Sequence, residues 1–164
     1  MTIAQSLLAE FDKEMATTRK LLERVPESKA AWKPHEKSMP LGKLAIHVAS
    51  LPNWIGRIEQ FDVFDPATQK IATTDFTTAA ALVEYFDRNV AAAREALGKL
   101  DDAKIAKTFT FNRAGKTMFA LPRAAAIRTL AMNHHIHHRG QLSVYLRLND
   151  VPLPSMYGPT ADEG

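Results

Sequence analysis

Four stretches of the chain carry apolar residues at the three- and four-residue spacing of an amphipathic helix. They span residues Ile3–Val25, Pro40–Phe61, Thr77–Leu100 and Pro122–Leu148. Each is long enough to present one apolar face to a common core. Four such helices with one longer crossover predict the all-α class and a four-helix bundle. At 164 residues the chain is expected to form a single domain over 1–164.

Local signals predict where these helices begin. Thr2 followed by Gln5 forms a capping-box pattern at the start of the first helix. Ser38 is the expected N-cap of the second helix, and either Asp75 or Thr77 is expected to cap the third.

Two other segments do not fit the helical pattern. Thr108–Phe111 and Lys116–Phe119 flank the turn-like sequence Asn112–Gly115, which predicts a short hairpin or irregular crossover before the last helix. The segment Val151–Glu163 contains three prolines, so it cannot be helical. We expect this tail to lie across the surface of the bundle.

Composition narrows the function. The net charge is only +3 and both signs are dispersed along the chain, which argues against nucleic-acid binding. The sequence has no apolar run of membrane-spanning length, and acidic and basic residues interrupt the first helix where a signal peptide would be apolar. The chain contains no cysteine, which excludes thiolate ligands and is consistent with a cytoplasmic protein.

Histidine is concentrated in one short segment of the last predicted helix. Four of the six histidines lie within the five residues His134–His138. His134 and His138 are one helical turn apart, so their rings share a face. That face is the predicted inward stripe, consisting of Ile127, Leu130, Ala131, His134, His138, Gln141 and Tyr145. Neutral imidazole is the commonest protein ligand for transition metals.

A third histidine interrupts the apolar stripe of the second predicted helix. His47 lies on the face formed by Leu44, Leu51, Trp54 and Ile58, where an imidazole is costly unless its nitrogens have partners. Pro52 in the same helix predicts a kink that leaves the Val48 carbonyl without its usual donor. His47, His134 and His138 are therefore predicted to converge on one cation, leaving coordination positions open as in catalytic zinc sites.

Simpler alternatives remain for most of these residues. His47 alone is more typical of a hydrogen-bonded core histidine, and His135 and His137 are expected to face solvent or to support a ligand from behind. Gln141 either orients a bound water or packs, and Tyr145 is more typical of a core tyrosine. Arg139 is expected to pair with an acid on a neighbouring helix, and His35 has no special role. Position 135 is not Glu, so the general base of a His-Glu-x-x-His peptidase is missing.

Three segments resemble the DinB family of metal-binding four-helix proteins. They are residues 32–38 with Leu44, Ala45 and His47; residues 134–142 with Leu146 and Arg147; and residues 151–154 with 157–163. The resemblance implies an up-up-down-down bundle, a homodimer, and one divalent metal held by His47, His134 and His138. Some family members are S-transferases that use bacillithiol, mycothiol or glutathione.

Three functions follow as hypotheses. The first is a metal-dependent thiol S-transferase acting on small electrophiles, with zinc, nickel or iron at an open site and Gln141 or Tyr145 positioning ligands. The second is a metal-dependent hydrolase, for which Asp162 or Glu163 of the tail is the candidate base. The third is a non-enzymatic dimeric bundle whose metal site is closed by a fourth protein ligand. The expected partner is a small molecule, with neither nucleic acid nor a membrane involved.

Overall fold

The computed structural model describes residues 2–163. Its α-helices are α1 (Ile3–Leu22), α2 (Leu41–Ser50), α3 (Asn53–Gln60), α4 (Ala79–Gly98), α5 (Asp102–Ala106), α6 (Arg123–Ala126) and α7 (His134–Arg147). A 3-10 turn covers Glu27–Lys29, and a π-helical segment covers Ile127–Asn133. The strands are β1 (Val63–Phe64), β2 (Thr108–Arg113) and β3 (Lys116–Pro122).

The predicted capping box at the start of α1 is confirmed. The Gln5 amide donates to the Thr2 hydroxyl at 3.2 Å, and the Thr2 amide donates to Gln5 Oε1 at 2.8 Å. These reciprocal bonds satisfy two backbone donors that a helix leaves free at its first turn.

The N-caps predicted for the second and third helices are wrong. Helix α2 begins after Pro40, because loop carbonyls take its free first-turn amides. The Leu41 amide donates to Trp32 and the Gly42 amide to Ala30, at 2.8 and 2.9 Å. Helix α4 is capped by Thr78, whose hydroxyl accepts from Ala81, rather than by Asp75 or Thr77.

Proline 52 divides the second predicted helix into two. Helix α2 ends at Ser50 and α3 starts at Asn53. Proline has no backbone N–H, so residue 52 cannot donate a hydrogen bond to the Val48 carbonyl. That carbonyl accepts a hydrogen bond from the Leu51 amide instead, at 3.4 Å. The predicted kink is therefore a full break between two short helices.

The fold is mostly helical but not all-α, which corrects the predicted class. Strands β2 and β3 form the expected antiparallel hairpin, and the sequence did not indicate β1, which pairs parallel with β2. The sheet forms because it buries two aromatic side chains, Phe64 and Phe109, against the core. The four-helix bundle and its up-up-down-down topology stay predictions.

Asp65 ties the sheet together at the hairpin turn. Its carboxylate accepts hydrogen bonds from the amides of Ala114 and Gly115, at 3.2 and 2.7 Å, and from Ala67 at 2.9 Å. The hydrogen bond from Gly115 contributes most, and together these amides lower the pKa of the Asp65 carboxyl group. Gly115 has φ +78°, a left-handed conformation that glycine adopts without steric cost.

The last predicted helix is not uniformly α-helical. Residues Ile127–Asn133 form a π-helix between α6 and α7, and Pro122 ends β3 rather than starting the helix. The wider turns of a π-helix shift the buried stripe by one position. Helix α7 therefore buries His135, Arg139, Leu142 and Leu146, whereas His134 and His138 are only half-buried.

Helices α1, α2 and α3 pack on α4, and α2 also packs on α7. Apolar residues from all of them form one continuous core. The proline-containing tail follows the surface as predicted: Arg24 donates to the Pro152 carbonyl and pairs with Glu163, and Leu153 is buried. Within residues 2–163, none of the helices combines the length and apolarity that a membrane span requires.

Candidate metal centre

Three imidazoles meet where α2 faces α7. His47 projects from α2, and His134 and His138 project from successive turns of α7. The Nε2 atom of His134 lies 3.4 Å from Nε2 of His47 and 2.9 Å from Nε2 of His138. One ligand atom from each residue lies within 4.8 Å of the others.

This spacing fits a transition-metal ion. Tetrahedral zinc with Zn–N bonds of about 2.0–2.1 Å holds its nitrogens roughly 3.3 Å apart. Imidazole donors suit zinc, nickel, copper and iron, whereas magnesium and calcium prefer oxygen. The three-histidine group can therefore hold a divalent transition metal.

The ring nitrogens that point away from the centre have partners of their own. His138 Nδ1 lies 2.7 Å from Gln141 Oε1, so the amide oxygen accepts the Nδ1 proton and leaves Nε2 free as a ligand. His134 forms a hydrogen bond with the backbone of Leu130, which lies in the π-helical segment. Such outer contacts orient metal-ligating imidazoles and strengthen them as ligands.

The three rings are held in the neutral form that binds metal. Burial, followed by the proximity of His138 and His134, lowers the pKa of His47 to about 4. Burial also lowers the pKa values of His134 and His138. These lowered pKa values favour the neutral, metal-binding form of all three imidazoles.

The centre borders a cavity. A space of about 700 Å³ is lined by His47 and His134 together with residues of α2, α3, α4 and the segment 71–76. Among the residues the structure describes, no fourth His, Cys, Asp or Glu joins the three-histidine group. A bound ion would thus keep positions open toward the cavity.

The structure corrects the expectation for His135. This residue is buried, with an exposed fraction of 1%, rather than solvent-facing. Its Nε2 lies 2.7 Å from the Thr18 hydroxyl, and its Nδ1 is buried without a hydrogen-bond partner among residues 2–163. Burial, followed by the charge of Arg139, lowers its pKa to about 3. His137 is exposed as predicted.

Arg139 pairs with an acid on a neighbouring helix, as predicted. Its guanidinium lies 2.6 Å from Glu14 of α1 and donates to the Tyr157 hydroxyl at 2.7 Å. Tyr157 in turn donates to Glu14 at 2.8 Å. This buried group joins α7 to α1 and to the tail, on a different face of α7 from His134 and His138.

The remaining predicted residues lie as follows. Tyr145 is half-buried and packs edge-on against Trp32, with ring centroids 5.6 Å apart; its role in positioning ligands stays a prediction. His35 is exposed in its loop.

The tail acids proposed as a hydrolytic base are engaged elsewhere, which contradicts that expectation. Asp162 pairs with Arg147 and accepts from the Leu153 amide. Glu163 pairs with Arg24 and accepts from the Ser155 amide. Both carboxylates are occupied in holding the tail in place.

Arg57, which lies on the cavity wall near Trp54, is a candidate functional residue absent from the predictions above. A signal was present, because the two residues are three apart on one helix. That spacing stacks a guanidinium on an indole, and the Arg57 Cζ is 5.1 Å from the Trp54 ring centroid.

Fold and site together define a mostly helical protein with an open three-imidazole centre. The model of the DinB family matches residues 1–164, and the chain belongs to this family. The chain is 24% identical over 155 residues to the uncharacterized protein YjoA of Bacillus subtilis strain 168, covering 94% of this chain and 96% of that protein.

Two solved structures share the fold. A DinB-like protein from Bacillus cereus ATCC 10987 matches with a TM-score of 0.71 and 21% identity, over 93% of this chain and 97% of that one. The DinB-like YjoA protein from Bacillus subtilis matches with a TM-score of 0.74 and 22% identity, over 93% of this chain and 99% of its own.

Proposed function

We propose that this chain binds one divalent transition metal through His47, His134 and His138 and is a thiol S-transferase for small electrophiles. The observation that carries the proposal is the convergence of three imidazoles, two of which, His47 and His134, line a cavity of about 700 Å³. Three protein ligands and an open side are typical of catalytic rather than structural sites. Zinc, nickel and iron all suit this donor set.

The proposed reaction joins a low-molecular-weight thiol, such as bacillithiol, mycothiol or glutathione, to an electrophilic carbon. A divalent ion at the centre supplies Lewis acidity, which lowers the pKa of a thiol. The sulfur lone pair forms the new S–C bond, the leaving group departs with its electron pair, and the thiol proton is released to solvent.

The residues of the chain contribute orientation and a dry cavity. Gln141 and the Leu130 backbone fix the ring orientations of His138 and His134. Ile46, Trp54 and Phe76 line the cavity and exclude water from the electrophile, which strengthens electrostatic interactions there.

The two alternatives have less support. The hydrolase hypothesis lacks its candidate base, because Asp162 and Glu163 are both ion-paired in the tail. The non-enzymatic hypothesis requires a closed site, whereas the candidate centre borders a cavity. A cytoplasmic location, expected from the absence of cysteine, and a homodimer, expected from the family resemblance, remain part of the proposal.

Elemental analysis of untagged protein, purified without a metal column, tests the metal site. We expect about one equivalent of a single divalent metal. Substituting Ala for His47, His134 or His138 should lower metal affinity by more than the roughly 10- to 100-fold typical of losing an outer-shell partner. The matched control is His137→Ala, which removes an exposed imidazole of the same helix and should retain the metal.

A transfer assay then tests the activity. Metal-loaded protein should accelerate the reaction of one of the three thiols with a chloro-nitroaromatic electrophile, and the three ligand variants should not, while His137→Ala should. Wild-type protein that stays metal-free and takes up none of zinc, nickel or iron would contradict the metal site. A loaded protein without transfer activity would contradict only the S-transferase assignment.

A further inference from the structure

Arg57 differs from the other arginines of the chain in its surroundings. The chain has ten arginines, and eight of them form ion pairs with carboxylates: Arg19, Arg24, Arg88, Arg94, Arg123, Arg128, Arg139 and Arg147. Of the remaining two, Arg113 is exposed at the hairpin turn, whereas Arg57 is half-buried. Within residues 2–163, Arg57 is thus the partly buried arginine that lacks a carboxylate partner.

The guanidinium of Arg57 is held in place by aromatic rings. Its Cζ lies 5.1 Å from the ring centroid of Trp54 and 5.8 Å from that of Phe64, and the two rings pack edge-to-face. Cation–π contacts of this kind hold the guanidinium against the rings, and its N–H groups donate no side-chain hydrogen bond within residues 2–163, so its fork of donors is available to a ligand. Burial lowers the pKa of Arg57, but an arginine side chain remains charged at neutral pH.

This cation lines the same cavity as the metal centre. Arg57 and Trp54 of α3, His47 and Lys43 of α2, and His134 of α7 all border the space of about 700 Å³, which is the size of a small-molecule site. Among the residues that the structure places on the cavity wall, one is a carboxylate, Asp75, and two are cations, Lys43 and Arg57. With the histidines neutral, the wall carries a net positive charge of one, and its remaining surface is largely aromatic and aliphatic.

A half-buried cation without an anionic partner is costly in isolation, and its cost falls when a ligand supplies the anion. A carboxylate matches the planar fork of a guanidinium through two parallel hydrogen bonds. An apolar body attached to it would lie against Trp54, Phe76 and Tyr85.

We infer that the cavity binds a carboxylate-bearing small molecule, with Arg57 holding the carboxylate while the apolar body lies beside the three-histidine centre. This inference rests on the proposed function in making the occupant a co-substrate of S-transfer. The carboxylate belongs either to the electrophile or to the thiol.

Direct binding tests the inference without relying on activity. Calorimetry on the full-length protein compares 4-chloro-3-nitrobenzoate with 4-chloro-3-nitrobenzamide, and glutathione with its diethyl ester. We expect the acid to bind more tightly than its neutral counterpart in one of the two pairs, and that pair identifies the source of the carboxylate. Wild-type protein with no preference for the acid in either pair would overturn the inference.

Variants assign the preference to Arg57. Arg57→Gln should weaken binding of the preferred acid by about 10- to 100-fold and leave its neutral counterpart unchanged. Arg113→Gln, which removes the exposed arginine outside the cavity, should change neither. Arg57→Lys keeps the charge but loses the planar fork, so it should give an intermediate affinity and serve as the second variant if Arg57→Gln unfolds.

Equal weakening of the acid and the neutral compound would instead mean that Arg57 only packs against Trp54, and it would overturn the inference. The two failures are distinguishable. Acid binding that depends on Arg57 but comes without S-transfer activity contradicts the proposed function alone, and metal-dependent transfer without any acid preference contradicts the role of Arg57 alone.

Discussion

Gln141 decides which nitrogen of His138 faces the candidate centre. Its side-chain oxygen lies 2.7 Å from Nδ1 and accepts the proton there, which leaves the Nε2 lone pair for a cation. The neighbouring His134 has no side-chain partner of this kind and uses the Leu130 backbone instead. Removing the Gln141 side chain therefore tests the orientation of the His138 ring without removing any of the three imidazoles that would bind the metal.

Gln141→Ala should weaken metal binding by about 10- to 100-fold without abolishing it, as is typical when an outer partner of a ligating histidine is lost. Competition with a chromogenic zinc chelator measures this affinity. Val144→Ala, an exposed change on the same helix, is the control and should leave the affinity unchanged. An affinity of Gln141→Ala equal to that of the wild type would mean that the amide plays no part in orienting His138.

Residue identity and spacing correctly predicted that His47, His134 and His138 lie together, but the predicted burial of His134 and His138 was wrong. The pair on α7 was expected on the buried stripe, yet that stripe carries His135 and Arg139. The grouping survived because His134 and His138 still share a face, and that face looks toward α2. The spacing of Trp54 and Arg57 indicated their contact, but the significance of Arg57 depends on its lack of an ion-pair partner within residues 2–163, which only the folded chain reveals.

Among the secondary-structure elements and loops, helix α2 and the segment 71–76 both line the cavity. Gly42 lies where the helix, the loop at Ala30 and Phe76 approach one another. A Cβ atom at position 42 would lie 3.1 Å from the Cβ of Phe76 and 3.2 Å from that of Ala30. The absence of a side chain at position 42 therefore lets Phe76, which lines the cavity, pack closely against α2.

Gly42→Ala should destabilise the fold by about 1–3 kcal/mol, the usual cost of overpacking a tight contact. Gly56→Ala on α3 is the matched control: a Cβ at position 56 meets nothing within 4 Å, and alanine in a helix interior should stabilise by about 0.5–1 kcal/mol. Urea unfolding measures both free energies. A Gly42→Ala protein as stable as the wild type would show that Phe76 can move away at no cost.

The elements that periodicity predicted best are those that depend on local pattern. Helices α1 and α4 and the hairpin β2–β3 lie close to where the sequence places them. Strand β1 was missed because two residues carry no recognisable alternation, and its pairing partner is more than 40 positions away. The π-helical segment was missed because residues 127–133 have an ordinary helical composition, and packing rather than propensity sets their wider turn.

At the scale of the molecule, the tail closes the fold behind α7. Arg147 and Arg24 pair with Asp162 and Glu163, and those carboxylates also accept the amides of Leu153 and Ser155. The arginines, as the leading cause, lower the pKa values of Asp162 and Glu163. The tail is therefore held by groups that lose their charge in acid.

These lowered pKa values fix the sign of a pH dependence. A carboxylate whose pKa falls on folding stabilises the folded state fully above its unfolded pKa, about 3.9–4.3 for Asp and Glu, and loses that contribution as pH falls through the folded value. Asp162→Asn should therefore lower Tm relative to wild type above about pH 5, and the difference should shrink below about pH 4.

Thermal unfolding across this pH range measures the difference. Glu36→Gln, which alters an exposed loop acid whose side chain makes no hydrogen bond within residues 2–163, is the control and should give a small difference that does not follow this pattern. A Tm difference for Asp162→Asn that stays constant from neutral pH to pH 3 would contradict a charged tail contact.

The two helices that supply the histidines lie far apart in the sequence, since His134 follows His47 by 87 positions. Bringing two such distant segments together requires closure of a long loop, and the entropy of that closure is lost before the contact stabilises anything. A chain that has lost the docking of α7 on α2 therefore presents the His134–His138 pair without the third imidazole. Metal affinity should thus report on tertiary docking, because a partly unfolded chain would hold an ion with fewer ligands than the folded one.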